Sequence, residues 1–108
     1  MSKTLGQQVL ADAIALLEDE RAWVQKKGQT LREFNGKAIV AFCPDEAIVQ
    51  AAKRNNVVHF GTAANAARTL MYRHGGWVHE PSSIHTWNDA EGRTHAEVLA
   101  FMHGALAA

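Results

Sequence analysis

The sequence predicts a mainly helical α+β fold, with about four helices and a short two-stranded β element in a compact single domain, residues 1–108. Three observations predict this class. Four segments carry helix caps or apolar residues at helical spacing. A β-prone region between the first two of them contains an Asn-Gly pair, which is typical of a turn between strands. The length of 108 residues is close to the commonest domain size and is enough to bury one core.

The first helix is predicted from about Thr4 to Glu20. Ser2 or Thr4 can cap its start, because a side-chain hydroxyl there accepts a hydrogen bond from a free backbone N–H of the first turn. Six apolar residues recur at helical spacing on one stripe: Leu5, Val9, Leu10, Ala13, Ile14 and Leu17. A stripe of this kind is the core-facing side of a helix.

Two short strands are predicted after this helix, at Ala22 to Gln25 and at Ala38 to Phe42. Between them lies Asn35-Gly36, a pair that favours a tight turn because both residue types tolerate the left-handed backbone region. We therefore expect a hairpin with a long intervening loop.

The second and third helices are predicted from their end signals. Pro44 suits a first helical position and is followed by acidic residues, and the Asn55-Asn56 pair stops the helix. The third helix runs from Thr62 to about His74, where Gly75-Gly76 ends it.

The segment from Trp77 to Arg93 is predicted to be mostly loop, because it contains Pro81, several small polar residues and Gly92. Thr94 and Glu97 then form the S/T-x-x-E pattern of a capping box and start the last helix.

Composition excludes several function classes. Eleven basic and eleven acidic side chains give a net charge of zero, so the chain as a whole is not drawn to nucleic acid or anionic lipid. No apolar run approaches the roughly 18 residues of a membrane helix, and the first residues lack the pattern of a signal peptide. We expect a cytoplasmic protein that makes no membrane contact and uses no cofactor.

The single cysteine, Cys43, excludes an internal disulfide and fits a reducing compartment. A thiol before a helix start can be a nucleophile when its pKa is lowered. Asp45 and Glu46 beside it disfavour the thiolate, and the apolar run before it favours burial. We expect a structural cysteine.

Six histidines raise the question of a metal site. Four of them fall in one region, but their spacings match no tight pair such as H-x-x-x-H: His74, His79, His85 and His95. We therefore expect no metal site.

The stretch from Trp87 to Arg93 carries the most informative side chains. An indole, an amide, a carboxylate and a guanidinium could form a small polar pocket, with the ligand-binding residues Trp87, Asn88, Asp89 and Arg93. A proton carrier for an enzyme would come from three weak catalytic candidates, Asp89, His85 and His95.

The same stretch can instead be a structural turn, and this is the favoured interpretation. Asn and Asp side chains commonly bond nearby backbone groups in turns, and Gly92 supplies a permissive backbone. Arg93 would then pair with Asp89, and Trp87 would anchor the loop to the core.

Basic residues cluster around the predicted hairpin: Lys26, Lys27, Arg32 and Lys37. Together with nearby aromatic residues they permit a nucleic-acid-binding surface. In a neutral chain, charges on exposed strands are more often a solvated edge that prevents aggregation.

Residues 87–94 read W-N-D-A-E-G-R-T and are followed by Glu97-Val98-Leu99. This resembles an uncharacterised family of small bacterial and phage proteins, a domain of unknown function that carries W-N-D-x-x-G-R-T before an E-V-L helix. Phe42-Cys43 with Ala47-Ile48, and the W-x-Q of residues 23–25, are similar to its upstream pattern. The chain departs from it at Phe42, Pro44 and Glu46, and the resemblance implies no known activity.

The favoured function is a non-catalytic binding or regulatory module of bacterial or phage origin that acts through a protein partner. A small enzyme or small-molecule binder at the pocket of residues 87–93 is the alternative, and a nucleic-acid-binding module is the third hypothesis. Enzyme activity is thus the less favoured class. Asp89 separates the first two hypotheses, because a structural Asp89 must be bonded to the protein's own backbone or to Arg93.

Overall fold

The computed structural model describes residues 3–108. Within them the elements follow one another as α1 (Leu5–Leu17), a 3₁₀ turn (Glu20–Ala22), β1 (Gln29–Phe34), β2 (Lys37–Phe42), α2 (Pro44–Asn55), α3 (Phe60–Gly75), α4 (Pro81–Asn88) and α5 (His95–Ala107). The two strands form one antiparallel sheet. The mainly helical α+β class is confirmed, but the described residues contain five α-helices and not about four.

A capping box starts α1. The Thr4 hydroxyl accepts a hydrogen bond from the Gln7 N–H at 3.2 Å, and the Gln7 side chain accepts one from the Thr4 N–H at 2.9 Å. The alternative cap, Ser2, lies outside the described residues. The helix ends at Leu17, earlier than predicted, because Asp19 caps the 3₁₀ turn by accepting the Arg21 N–H.

The first predicted strand is wrong. Ala22 belongs to the 3₁₀ turn, and Trp23 makes only an isolated bridge to Phe42. Strand β1 lies further along the chain, so that Asn35 and Gly36 alone connect it to β2. Both turn residues have positive φ, 51° and 79°, the geometry in which a two-residue turn matches the twist of its strands. The hairpin is therefore tight, without the long loop that we expected.

The helix predicted at Pro44 is present, and the Cys43 sulfur accepts the Glu46 N–H at 3.4 Å as its cap. Helix α3 begins at Phe60, earlier than the predicted Thr62. It ends at the predicted Gly75-Gly76 pair: Gly75 is its last residue, and Gly76 has a φ of 67°, the left-handed conformation of a helix cap.

A helix occupies part of the predicted loop. Helix α4 starts at Pro81, where the missing N–H of proline costs no hydrogen bond, and it buries Ile84 and Asn88 completely. The half-buried Trp87 also packs against the core. Two apolar positions, Ile84 and Trp87, are too few to show a helical repeat in the sequence. The Thr94–Glu97 capping box of α5 is confirmed.

The core lies around α1, which packs against α2, α3 and α5. Its stripe supplies buried Val9, Leu10 and Leu17, whereas α2 and α3 supply mainly alanines, which let the helix axes approach closely. Cys43 is buried at the strand–helix junction. Among the described residues, no helix is long and apolar enough to cross a bilayer.

Candidate functional site

The W-N-D motif ends α4 beside the segment Trp23–Lys26, and Asn88 joins the two. The Asn88 side chain is fully buried. Its Oδ1 accepts a hydrogen bond from the Trp23 indole N–H at 2.7 Å, and its Nδ2 donates to the Val24 carbonyl at 3.1 Å. Both the oxygen and the nitrogen of the side-chain amide are therefore hydrogen-bonded within the protein.

Asp89 and Gln25 complete this connection. The Asp89 Oδ1 accepts the Lys26 N–H at 2.7 Å, and the Gln25 side-chain amide donates to the carbonyls of Asn88 and Ala90 at 2.8 and 3.0 Å. Lys26 has a left-handed backbone, with φ of 63°. We call these residues, 23–26 together with 88–90, the loop clamp.

Arg93 does not pair with Asp89, contrary to the sequence-based expectation. Its Nε donates to the Trp87 carbonyl at 3.0 Å, and its guanidinium carbon lies 4.1 Å from the centre of the Trp87 ring. Its Nη1 lies 3.5 Å from the Glu97 carboxylate. The contacts with the Trp87 ring and carbonyl fix the guanidinium away from Asp89, and they stabilise the turn before α5.

Trp87 belongs to an aromatic cluster between α3, α4 and α5. Phe101 lies 4.7 Å from Trp87 and stacks on Trp77 at 4.7 Å with an interplanar angle of 5°. The two indoles lie 5.8 Å apart, and His74 meets the same phenyl ring edge-on. Such ring pairs stabilise by about 0.5–1.5 kcal/mol beyond the area that they bury.

Within residues 3–108, no side-chain hydrogen bond or ion pair joins any two of the catalytic candidates Asp89, His85 and His95. The Asp89 N–H bonds the His85 carbonyl at 2.8 Å, but this is a backbone bond at the end of α4. His85 Nε2 lies 3.8 Å from the Asp45 carboxylate, and His95 Nε2 contacts the Leu17 carbonyl at 2.5 Å. Each of the three thus has a different neighbour. Asp45 is itself bound to the Arg68 guanidinium, with N–O distances of 2.7 and 3.3 Å.

The structure also places two indoles beside a surface groove that the sequence did not indicate. The groove has a volume of about 440 Å³ and runs along α4. Its walls include Trp77, Val78, Glu80, Ser83, Thr86 and Trp87. The sequence feature that could have indicated it is the pair Trp77 and Trp87, which lie before and after Pro81. Only tertiary packing brings the two indoles together. We call this surface the aromatic groove.

A second cavity, of about 570 Å³, lies between the 3₁₀ turn and the hairpin. Of the predicted basic cluster, only Lys27 and Arg32 line it, whereas Lys26 and Lys37 do not. Arg21, which the sequence analysis missed, is a third cation in its wall, and the rings of Trp23 and Phe34 complete it. We call this space the hairpin cavity.

Hydrogen bonds and burial shift the pKa values of three side chains: Asp19, Cys43 and Glu97. A side-chain hydrogen bond from Arg21 lowers the pKa of Asp19 from 3.8 to about 2. The backbone N–H of Thr94 lowers the pKa of Glu97, and burial raises the pKa of the Cys43 thiol, which is the opposite of what a nucleophilic cysteine requires.

Within residues 3–108, no three His, Cys, Asp or Glu side chains lie together as a set of metal ligands.

The chain was compared with protein families, curated proteins and solved structures. A family of unknown function, DUF6197, covers residues 1–108. The comparisons with curated proteins and with solved structures give no match. The coverage extends over the W-x-Q and W-N-D stretches whose side chains form the loop clamp. The chain therefore belongs to the family of unknown function DUF6197.

Proposed function

We propose that the protein is a non-catalytic binding module of bacterial or phage origin that works in the cytoplasm by contacting another protein. The observation that carries this proposal is the aromatic groove, in which two indoles and an exposed valine lie side by side. The resemblance to small bacterial and phage proteins supports the origin.

The aromatic groove has the features of a protein-docking surface. Val78 is 68% exposed although it is aliphatic, and Trp77 and Trp87 are half-buried. Neither indole N–H has an acceptor among residues 3–108, so both can donate to a partner. Tryptophan is enriched among the residues that dominate binding energy in protein interfaces, because it combines a large apolar area with one polar group.

The chemistry of the groove suggests its occupant. Of the described residues that line it, Glu80 alone carries a charge, and three hydroxyl-bearing residues surround it: Ser82, Ser83 and Thr86. A partner segment that inserts an apolar side chain and places a Lys or Arg next to it would complement this surface in shape and charge. We propose a protein segment of that kind as the occupant.

The alternative function, an enzyme or small-molecule site at Trp87, Asn88, Asp89 and Arg93, has less support. Both ends of the Asn88 amide, Oδ1 of Asp89 and Nε of Arg93 already have partners in the protein. Within residues 3–108, the side-chain hydrogen-bonding atoms left without a partner there are Nε1 of Trp87, Oδ2 of Asp89 and Nη2 of Arg93. A site built to bind a small polar molecule ordinarily offers more converging groups.

Affinity capture with two matched variants tests the proposal. Val78→Glu puts a charge in the aromatic groove, and Val57→Glu puts the same charge on a side chain that is 87% exposed in the loop between α2 and α3. Tagged wild-type protein and both variants are incubated with lysate of the organism that encodes the chain, and the recovered proteins are identified by mass spectrometry.

The proposal predicts a protein that is recovered with the wild type and with Val57→Glu but is lost with Val78→Glu. Glu80→Lys should also lose it, because that change reverses the charge of the groove. Equal recovery with Val78→Glu and with the wild type would contradict the aromatic groove as the docking surface.

A further inference from the structure

We propose that the hairpin cavity is a binding site for a small organic anion, a carboxylate or a phosphate monoester with an apolar body. This site is separate from the aromatic groove and does not depend on the function proposed above. Its volume of about 570 Å³ falls in the range of small-molecule pockets, about 300–1,000 Å³. Its walls combine cationic side chains with aromatic rings.

Arg32 is the anchor of this site. Its Nη1 donates to the Trp23 carbonyl at 3.2 Å and to the Arg21 carbonyl at 3.4 Å, and its guanidinium lies 5.5 Å from the centre of the Phe34 ring. Two carbonyls and a ring thus hold the guanidinium in place before any ligand arrives. Its Nε and Nη2 have no partner among the described residues, so one edge of the group remains free to bind an anion.

The charge balance of the cavity wall favours an anion. Arg21 is paired with Asp19 at 2.7 Å, whereas Lys27 and Arg32 have no carboxylate within 4.0 Å among residues 3–108. Glu20 is the one acidic residue of the wall. Two unpaired cations against one carboxylate leave an excess positive charge, which a bound carboxylate or phosphate would neutralise.

The hairpin orients the remaining wall. Thr30, Arg32 and Phe34 alternate along β1, so their side chains lie on the same face of the sheet, and all three line the cavity. The Thr30 hydroxyl has no hydrogen-bond partner among the described residues and lies on the same wall as the Arg32 guanidinium. The Phe34 ring provides an apolar surface for the body of the ligand.

A small ligand fits these observations better than nucleic acid does. The other two members of the basic cluster, Lys26 and Lys37, are not part of the cavity wall. A strand of nucleic acid needs a continuous cationic track, and the net charge of the chain is zero. We therefore assign the excess charge to one bound anionic group, and nucleic acid becomes an outcome of the test.

Titration followed by amide NMR tests the site. The probes are phenyl phosphate, benzoate and, as a neutral control of similar size, benzyl alcohol. At least one of the two anions should shift the amide signals of Lys27, Thr30 and Arg32 in a saturable way, and benzyl alcohol should not. The anion that binds more tightly distinguishes a phosphate from a carboxylate ligand.

Two matched variants locate the binding. Arg32→Gln should raise the Kd for the anion by about tenfold or more, as expected for loss of a charge-assisted hydrogen bond. Lys37→Gln, which removes the same charge from the same hairpin outside the cavity, should change the Kd by less than about twofold. Arg32→Lys keeps the charge but loses the fork of donors, and its Kd should fall between those of the wild type and Arg32→Gln.

Three results would overturn the proposal: no saturable shift with either anion, an equal shift with benzyl alcohol, or equal weakening by Arg32→Gln and Lys37→Gln. A fluorescent single-stranded 20-mer provides the comparison with nucleic acid. If it binds more tightly than phenyl phosphate, and both variants weaken it equally, the hairpin is a nucleic-acid surface and the cavity proposal is wrong.

Discussion

The buried amide of Asn88 accepts a hydrogen bond from the Trp23 indole at 2.7 Å, and the two residues are 65 positions apart in the sequence. Trp23 lies in the segment between the 3₁₀ turn and the hairpin, and this bond attaches that segment to the end of α4. Because the same Asn88 side chain also donates to the Val24 carbonyl, one residue satisfies two otherwise unpaired groups. Stability and the position of the hairpin cavity therefore both depend on the loop clamp.

Asn88→Ala should lower the free energy of unfolding by about 2–4 kcal/mol, since it leaves the Trp23 N–H and the Val24 carbonyl without their partner. Urea denaturation followed by circular dichroism measures this change. Asn65→Ala is the matched control, because Asn65 is exposed and its side chain accepts a single hydrogen bond among the described residues, from Nη1 of Arg68. It should cost less than about 1 kcal/mol. Similar losses for both variants would contradict the central role of Asn88.

Asp89→Asn should destabilise the protein by about 1 kcal/mol, because the Lys26 N–H then bonds a neutral oxygen in place of a carboxylate. Asp89→Ala, which removes the acceptor, should cost about 2–3 kcal/mol. In thermal unfolding, the melting temperature should be highest for the wild type, lower for Asp89→Asn and lowest for Asp89→Ala. If neither variant changes the melting temperature, the carboxylate is not structural and the hypothesis of a functional site at Asp89 gains support.

Lys26→Gly should stabilise the protein by about 1 kcal/mol, because a left-handed backbone strains a residue with a side chain but not glycine. The Lys26 N–H that bonds Asp89 is retained in this variant. Lys27→Gly is the control: it removes the same charge at a position where φ is not positive, and the added backbone freedom should make it neutral or destabilising. A loss of stability in both variants would show that Lys26 is not strained.

Gly75→Ala should destabilise the protein by about 1–3 kcal/mol, because a Cβ at this position overpacks the aromatic cluster. That Cβ would lie 2.3 Å from the Trp77 ring and push the indole off Phe101. Tryptophan fluorescence should change as well, since Trp77 also lines the aromatic groove. Gly61→Ala in the same helix has no atom within 4 Å of its Cβ and should stabilise by up to about 1 kcal/mol.

The acid dependence of stability should include a contribution from Asp19. Its pKa is lowered from 3.8 to about 2 in the folded protein, chiefly by the side-chain hydrogen bond from Arg21. A lowered folded-state pKa stabilises the protein above the unfolded value, and this stabilisation is lost as the pH falls through the folded value. The stability difference between wild type and Asp19→Asn should therefore be constant above about pH 5 and shrink between pH 4 and pH 2. A difference that does not vary with pH would contradict the pair; urea titrations at each pH measure it.

Local signals in the sequence correctly predicted the starts and ends of several elements. Thr94 with Glu97, Pro44 and Gly76 were identified because each acts on backbone groups within a few residues. The Asn35-Gly36 turn was recognised for the same reason, although its strand was misplaced. Five of the six predicted residues of the α1 stripe are buried, because burial of one helix face imposes a short-range repeat. The sixth, Leu5, lies in the first turn of the helix and is exposed.

Elements that depend on distant partners were missed. Residues 22–25 have the composition of a strand, but the Trp23 indole and the Val24 carbonyl bond Asn88 instead, which keeps the segment out of the sheet. Helix α4 has too few apolar residues to show a repeat, because its core-facing side consists of Ile84, Trp87 and a polar Asn88 whose partners lie in residues 23 and 24. Neither the irregular backbone of residues 22–25 nor helix α4 can be predicted from neighbouring residues alone.

The sequence by itself determined the fold class, the helix caps, the tight turn and the two motifs, W-x-Q and W-N-D, that stand apart from the rest of the chain. Only the tertiary structure decided that these motifs bond each other, that Arg93 stacks on Trp87 and does not pair with Asp89, and that Trp77 meets Trp87 at a groove. The physical reason is the range of the interactions. Caps and turns satisfy backbone groups three or four residues away, whereas a buried amide or an indole takes whichever partner the packing of the helices brings within hydrogen-bond distance.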